Sequence, residues 1–295
     1  MTAPTADGGW EVVLDPPRVA VVEAVTRAIA EDVLPLGDLT AGLVPSSRRA
    51  TVDVVSRAAG VVAGQACAVE AFTQIDPGLE VVWHLPDGSS VSPGSVVATI
   101  EGPLRSILTA ERTALNFLGH LSGVATLTRS FVDAVHVANP ATRVLDTRKT
   151  TPGLRALEKA AVRAGGGVNH RGSLSEAVLV KDNHLGGMTI TEAVSRARAQ
   201  WPGRMIEVEC DRLDQVSEAA GAGATVIMLD NMGPGAVSEA VAAVRAVGSN
   251  ALIEVSGGVT LASAPALAAA GADLLSAGAL THSAPVLDLG LDLRI

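Results

Sequence analysis

Aromatic side chains are scarce in this sequence: 295 residues contain three phenylalanines, three tryptophans and no tyrosine. So few rings leave little on which exposed bases could stack, which argues against a single-stranded nucleic-acid platform. Positive charge is also in deficit, with 22 lysines and arginines against 31 acidic residues and a net charge of −9 at pH 7. A general nucleic-acid binder needs a basic face to displace counterions, so no nucleic-acid partner is expected. The two cysteines, Cys67 and Cys210, are too few for a disulfide framework. No long apolar run occurs. The alanine-rich stretch 251–280 is broken by Glu254, Asp273 and several glycines, so no membrane span is expected. Residues 1–10 lack a basic segment followed by an apolar one, so no signal peptide is expected either. These absences point to a cytoplasmic protein.

What is present is apolar mass. Apolar residues make up 48 % of the chain and charged residues 18 %, enough for a sizeable core and too few charges for a disordered polyelectrolyte. The length suits one large domain or two smaller ones. Residues 18–33 have helical apolar spacing, with Glu23, Arg27 and Glu31 on a polar face. Gly37 to Thr40 reads as a turn. Short β-rich runs follow at 51–55, 60–63, 81–84 and 96–100, with a helix at 66–75 among them. This is a small α+β domain, followed by a helical stretch at 104–128 with an interruption expected at 119–123. The expected division is 1–118 for an N-terminal sandwich domain and 119–295 for a catalytic domain, with the last residues able to pack back on the first.

The remainder alternates. Strands are expected at 143–146, 177–180, 206–208, 225–229, 252–255 and 273–276, with helices at 154–164, 190–201, 213–220, 236–246 and 261–270. That rhythm implies βαβ units and a parallel sheet. Nearly every strand stops at a polar or small residue. An open doubly wound sheet would concentrate functional groups at one switch point, whereas a β/α barrel builds its site from many strand ends. The pattern favours a barrel, and six visible strands make it an open, incomplete one.

The densest candidate segment runs from Asp146 through Thr147, Arg148 and Lys149 to Arg155. Arginine offers a planar fork for carboxylate or phosphate, and lysine a compact mobile charge. A solvated loop is the plain alternative. The glycine-rich stretch 165–167 leads to His170 and Arg171, and its spacing is neither a Walker loop nor a dinucleotide fingerprint. A hydrogen-bonded structural histidine would explain His170 alone. Lys181 leaves an apolar strand and could neutralise an anion, form a Schiff base, or simply snorkel. Gathering these cations in one cleft is unfavourable unless an anion sits there, each charged hydrogen bond contributing roughly 1.5–3 kcal/mol. A dianionic acid and a phosphorylated sugar would fit.

Acidic residues follow. Glu209 and Asp230 end two strands, and Glu207 and Glu254 lie within theirs. Alternation puts Glu207 and Glu209 on one side, where they could hold sugar hydroxyls or Mg²⁺, or merely pair with neighbouring cations. Ser256, Gly257 and Gly258, like Gly278, Ala279 and Leu280, sit where barrels present backbone N–H groups to phosphate. Arg112, beside Glu111, cannot pair well with it on a helix and could equally be a surface residue.

Taken in order, 146–150, Pro152 to Arg155, the three glycines, His170-Arg171 and Lys181 to His184 resemble the quinolinate phosphoribosyltransferase family. The stretches 111–116 and 229–232 add to the likeness, which spans Gly37 to Ser283. The resemblance implies an N-terminal sandwich, an open β/α barrel and a homodimer with shared active sites, higher assembly being left open. It implies that Arg112 reaches across the dimer. Arg148, His170, Arg171 and Lys181 would hold quinolinate, with Lys149 near the phosphates and Thr147 also among the substrate-binding residues. Glu209 and Asp230 would lie near the ribose and Mg²⁺, directly or through water. The glycine-containing loops 256–258 and 278–280 would take phosphate. Lys149, Lys181, Glu209 and Asp230 would be the catalytic groups for joining quinolinate to 5-phosphoribosyl 1-pyrophosphate with loss of CO₂. One departure is Ala160, where the family often has tyrosine, with an effect expected on helix packing. The rivals are a related protein of molybdenum transport, a Schiff-base aldolase using Lys181, and a non-catalytic anion-binding barrel.

Overall fold

The computed structural model describes residues 15–294. In chain order the elements are α1 (Arg18–Val33), β1 (Arg49–Ser56), β2 (Gly60–Val61), α2 (Gln65–Ile75), β3 (Glu80–Trp83), β4 (Ser90–Val91), β5 (Val96–Pro103) and α3 (Leu104–Ala138). There follow β6 (Arg143–Leu145), α4 (Arg155–Ala164), β7 (Val178–Val180), α5 (Asp182–Leu185), α6 (Ile190–Gln200), β8 (Ile206–Cys210), α7 (Leu213–Ala222) and β9 (Val226–Asp230). The last are α8 (Pro234–Ala246), β10 (Leu252–Ser256), α9 (Ala264–Ala269), β11 (Leu274–Ser276), α10 (Ala279–His282) and β12 (Leu289–Leu293). The chain forms two compact units, both discontinuous in sequence. One takes the described residues to Arg129, with Thr150–Gly166 and Leu280 onward, and the other takes Ser130–Lys149 and Gly167–Ala279.

The first unit is built on an antiparallel sheet of order β12-β1-β5-β3. Val52 and Val54 of β1 and Ala98 and Ile100 of β5 are buried, while Thr51, Asp53 and Thr99 between them are less so. That alternation is what a sheet with one covered face requires. The C-terminal strand β12 returns to this sheet, Val54 pairing with Leu291. Helix α3 is continuous, which corrects the interruption expected at 119–123. Its two glycines serve close packing instead. Leu287 N donates to Gly119 O at 2.9 Å, and a Cβ on Gly123 would lie 2.0 Å from Pro285 O. Ala160 is buried in α4, so the departure from tyrosine falls at a packed position.

The second unit carries six parallel strands in the order β6-β11-β10-β9-β8-β7. Ile227, Leu229, Ile253 and Leu275 are buried almost completely, and each such side chain contributes roughly 1.5–3 kcal/mol of transfer free energy. The helices between strands have clear local causes. Thr189 and Glu192 form a capping box on α6, Gly223 ends α7 in the left-handed region, and Pro234 occupies the first turn of α8. Beyond the β6 edge, Leu145 makes one parallel bridge to Val168. No pairing joins β6 to β7 among the described residues, so this is an open β/α barrel. Its C-terminal strand ends converge on one side, where the candidate side chains stand.

Candidate active site

A cavity of about 190 Å³ lies at those strand ends, entirely within the second unit. The chain leaving β6 supplies Thr147, Arg148 and Lys149, and Thr147 Oγ1 turns it by accepting from Lys149 N at 3.0 Å. The next loop supplies His170 and Arg171. It is tied to β6 by Asp146, whose buried carboxylate accepts from His170 N at 2.9 Å and from Asn169 Nδ2. Lys181 follows β7 and donates from Nζ to Glu209 Oε2 at the end of β8. Asp230 ends β9 and accepts from Asn231 Nδ2 at 2.8 Å. Ser256 and Gly257 close the far side. Gly257 has φ of 83°, and a Cβ there would lie 2.7 Å from Asp230 Oδ1 and 2.4 Å from Asn231 Oδ1.

Beneath these groups is a buried polar layer. Glu207 is wholly buried and Glu254 is 1 % exposed. His170 Nε2 lies 3.0 Å from Glu207 Oε2 and 3.6 Å from Glu254 Oε2. Burial, then the charge of Glu207, pushes the Glu254 carboxyl up to about 7, with His170 opposing. Arg171 Nη1 donates to Ala177 O at 2.9 Å. Burial and, secondly, the charge of Arg148 lower the Arg171 guanidinium pKa, while Glu207 opposes that shift. Two donor sets could therefore face a cation: Glu209 with Asp230 at the cavity, and His170, Glu207 and Glu254, whose ligand-capable atoms lie within 4.8 Å of one another.

Sequence profiles of the quinolinate phosphoribosyl transferase N-terminal and C-terminal domains match residues 38–122 and 124–292. The chain belongs to the quinolinate phosphoribosyltransferase family. Among similar proteins, the probable nicotinate-nucleotide pyrophosphorylase (carboxylating) of Bacillus subtilis is 41 % identical over 88 % of this chain and 89 % of its own. The nicotinate-nucleotide pyrophosphorylase (carboxylating) of Mycobacterium leprae is 39 % identical over 93 % and 97 %. The solved nicotinate-nucleotide pyrophosphorylase of Francisella tularensis superposes with a TM-score of 0.90 at 37 % identity, covering 96 % of this chain and 99 % of that one.

In this quinolinate phosphoribosyltransferase family member, the cavity brings together Thr147, Arg148, Lys149, His170, Arg171 and Lys181 with Glu209, Asp230, Ser256 and Gly257. Gly258, Gly278 and Ala279 do not line it, and the Leu280 side chain is buried in the core. Arg112 is exposed on α3 in the first unit. Ser276 was not among the candidates, and two residues named in the sequence were given no site role: Asp146, which anchors the His170 loop, and Glu254, which lines the cavity with Ser276. Period-two alternation could have flagged Glu254, since it places that side chain on the face of Ser256. A larger cavity of about 840 Å³ beside β7 is lined mainly by apolar groups such as Leu174, Val178, Met188 and Trp201. Arg171, Arg196 and Arg204 also line it, but no carboxylate among the described residues faces them there.

Proposed function

We propose that this protein transfers the phosphoribosyl group of 5-phosphoribosyl 1-pyrophosphate to quinolinate, releasing pyrophosphate and CO₂ and forming nicotinate mononucleotide for NAD synthesis. The supporting observation is one cavity in which Arg148, Lys149, Arg171 and Lys181 face Glu209 and Asp230 at parallel strand ends. The cations hold the two ring carboxylates and aim the ring nitrogen at the ribose C1, an orientation effect. Glu209 and Asp230 stabilise positive charge developing on the ribose as pyrophosphate departs. Once ribosylated, the ring nitrogen is cationic. The bond from the ring to the adjacent carboxylate then breaks, its electron pair moves to the ring, CO₂ leaves, and the ring carbon takes a proton. No covalent nucleophile is needed.

The reading includes Mg²⁺. Glu209 and Asp230 fit it, being carboxylates on neighbouring strands at the cavity, and Mg²⁺ takes few protein ligands and keeps several waters. When bound it supplies positive charge to the pyrophosphate oxygens. It also includes a homodimer in which Arg112 serves the partner's cavity, supported by the exposure of Arg112 on α3. A cytoplasmic setting is supported by two buried free cysteines and by the finding that no helix among the described residues is long and apolar enough to cross a membrane. The deciding assay combines quinolinate, 5-phosphoribosyl 1-pyrophosphate and Mg²⁺ and follows CO₂ and nicotinate mononucleotide. Absence of both products would refute the proposal.

A further inference from the structure

The imidazole of His170 has a close polar neighbour at each nitrogen. Nδ1 accepts from the Arg171 backbone N–H at 2.8 Å. Nε2 points inward to 3.0 Å from Glu207 Oε2, within ion-pair range but outside hydrogen-bond angles, and both Glu207 carboxylate oxygens are buried without a hydrogen bond. A ring nitrogen that accepts carries no proton, so the proton of a neutral ring belongs on Nε2. That places the positive end of the ring against the carboxylate that most needs it, because an uncompensated buried carboxylate is costly.

Two other readings of the cluster fail at Nδ1. A cation ligated by Nε2 would require the proton on Nδ1, where it would face the Arg171 N–H donor. An imidazolium would set the same two donors against each other. The surroundings also disfavour another cation on the cavity side, where Arg148 and Arg171 already repel one another. On the inner side the charges are those of Glu207 from β8 and Glu254 from β10, and Asp146 at the end of β6 is occupied by the loop backbone. Glu254 keeps its carboxyl proton toward neutral pH, so the pair presents less than two full charges.

We propose that Glu207 is a positioning residue that holds His170 as the neutral tautomer with its proton on Nε2, so that His170 shapes the cavity wall while Arg148, Lys149, Arg171 and Lys181 supply the charge. This deepens the quinolinate reading, and only its kinetic arm rests on it. The first test is a long-range ¹H–¹⁵N spectrum of the full chain with ¹⁵N-labelled histidine, without substrate at pH 7, with His170→Gln giving the assignment. A pyridine-like Nδ1 and a pyrrole-like Nε2 are expected. The opposite tautomer, or two protonated nitrogens, would overturn the proposal.

The second test compares Glu207→Leu, which removes the acceptor, with Glu207→Gln, which keeps one. Thermal melting confirms folding of each. Glu207→Leu should raise KM for quinolinate about tenfold with kcat changed much less, and Glu207→Gln should restore most of the loss. An unchanged KM in a folded Glu207→Leu protein would remove the positioning role. Should that variant not fold, the wild-type spectrum and Glu207→Gln still decide. An inactive wild type showing the expected spectrum would refute phosphoribosyl transfer and leave the tautomer assignment standing.

Discussion

Gly257 leaves no room for a methyl group, since its Cβ would press on Asp230 Oδ1 and Asn231 Oδ1 at a φ of 83°. Strain of this kind costs on the order of 1–3 kcal/mol. Gly257→Ala should therefore reduce kcat/KM at least about tenfold, because the carboxylate itself must move. Steady-state kinetics beside a melting curve will separate this from unfolding. Arg148→Ala and Lys181→Ala should weaken quinolinate binding more than 5-phosphoribosyl 1-pyrophosphate binding, measured by calorimetry, and equal losses would contradict the clamp. Glu254 governs a pH effect. Its folded pKa of about 7 exceeds the ordinary 4.5, so between these values the unfolded chain binds fewer protons and stability falls as pH rises. The loss reaches at most about 3 kcal/mol and is complete above the upper value. Urea titrations at pH 5 and 8 should show that Glu254→Gln flattens this slope. Arg148, Lys149 and Lys181 were legible in the sequence because each follows an apolar strand, and Arg171 because it follows a glycine-rich stretch. The partnership of His170 with Glu207 and Glu254 was not, because it joins a loop to two strands that are not neighbours in the sheet.

Among elements, the six parallel strands and their main helices were readable from periodicity, since each buries both strand faces or one helix face. Other elements were not. β4 has two residues and α5 four, too short for any period. The glycines of α3 were misleading because glycine marks both breaks and close contacts, and only the tertiary partner tells which. Here the partners are Leu287 O near Gly119 and Pro285 O near Gly123. Gly123→Ala should therefore destabilise the protein despite its better helix propensity, by about 1–3 kcal/mol in equilibrium denaturation. A gain in stability would show that the segment 285–287 yields easily.

At the scale of the whole molecule, the interleaving of two units is invisible to any rule that scans for linkers, because the expected break at 118/119 lies inside the continuous helix α3. The family resemblance, resting on ordered strand-end motifs, reached further than composition or spacing alone. The proposed dimer is testable by complementation. Arg112→Ala and Lys181→Ala chains, each impaired alone, should regain part of the activity when mixed as verified heterodimers, since one of the two cavities would again be intact. No recovery would count against a shared site.

The return of β12 to β1 has a consequence for synthesis. Arg57 and Asp292, which pair beside this junction, are 235 residues apart. During translation the sheet of the first unit must wait, with β1 holding an open edge, until nearly the entire barrel sequence has left the ribosome. Such an edge is a template for pairing with another nascent chain. Loss of a handful of residues at 289–293 would thus act less on catalysis than on the yield of soluble protein from the polysome.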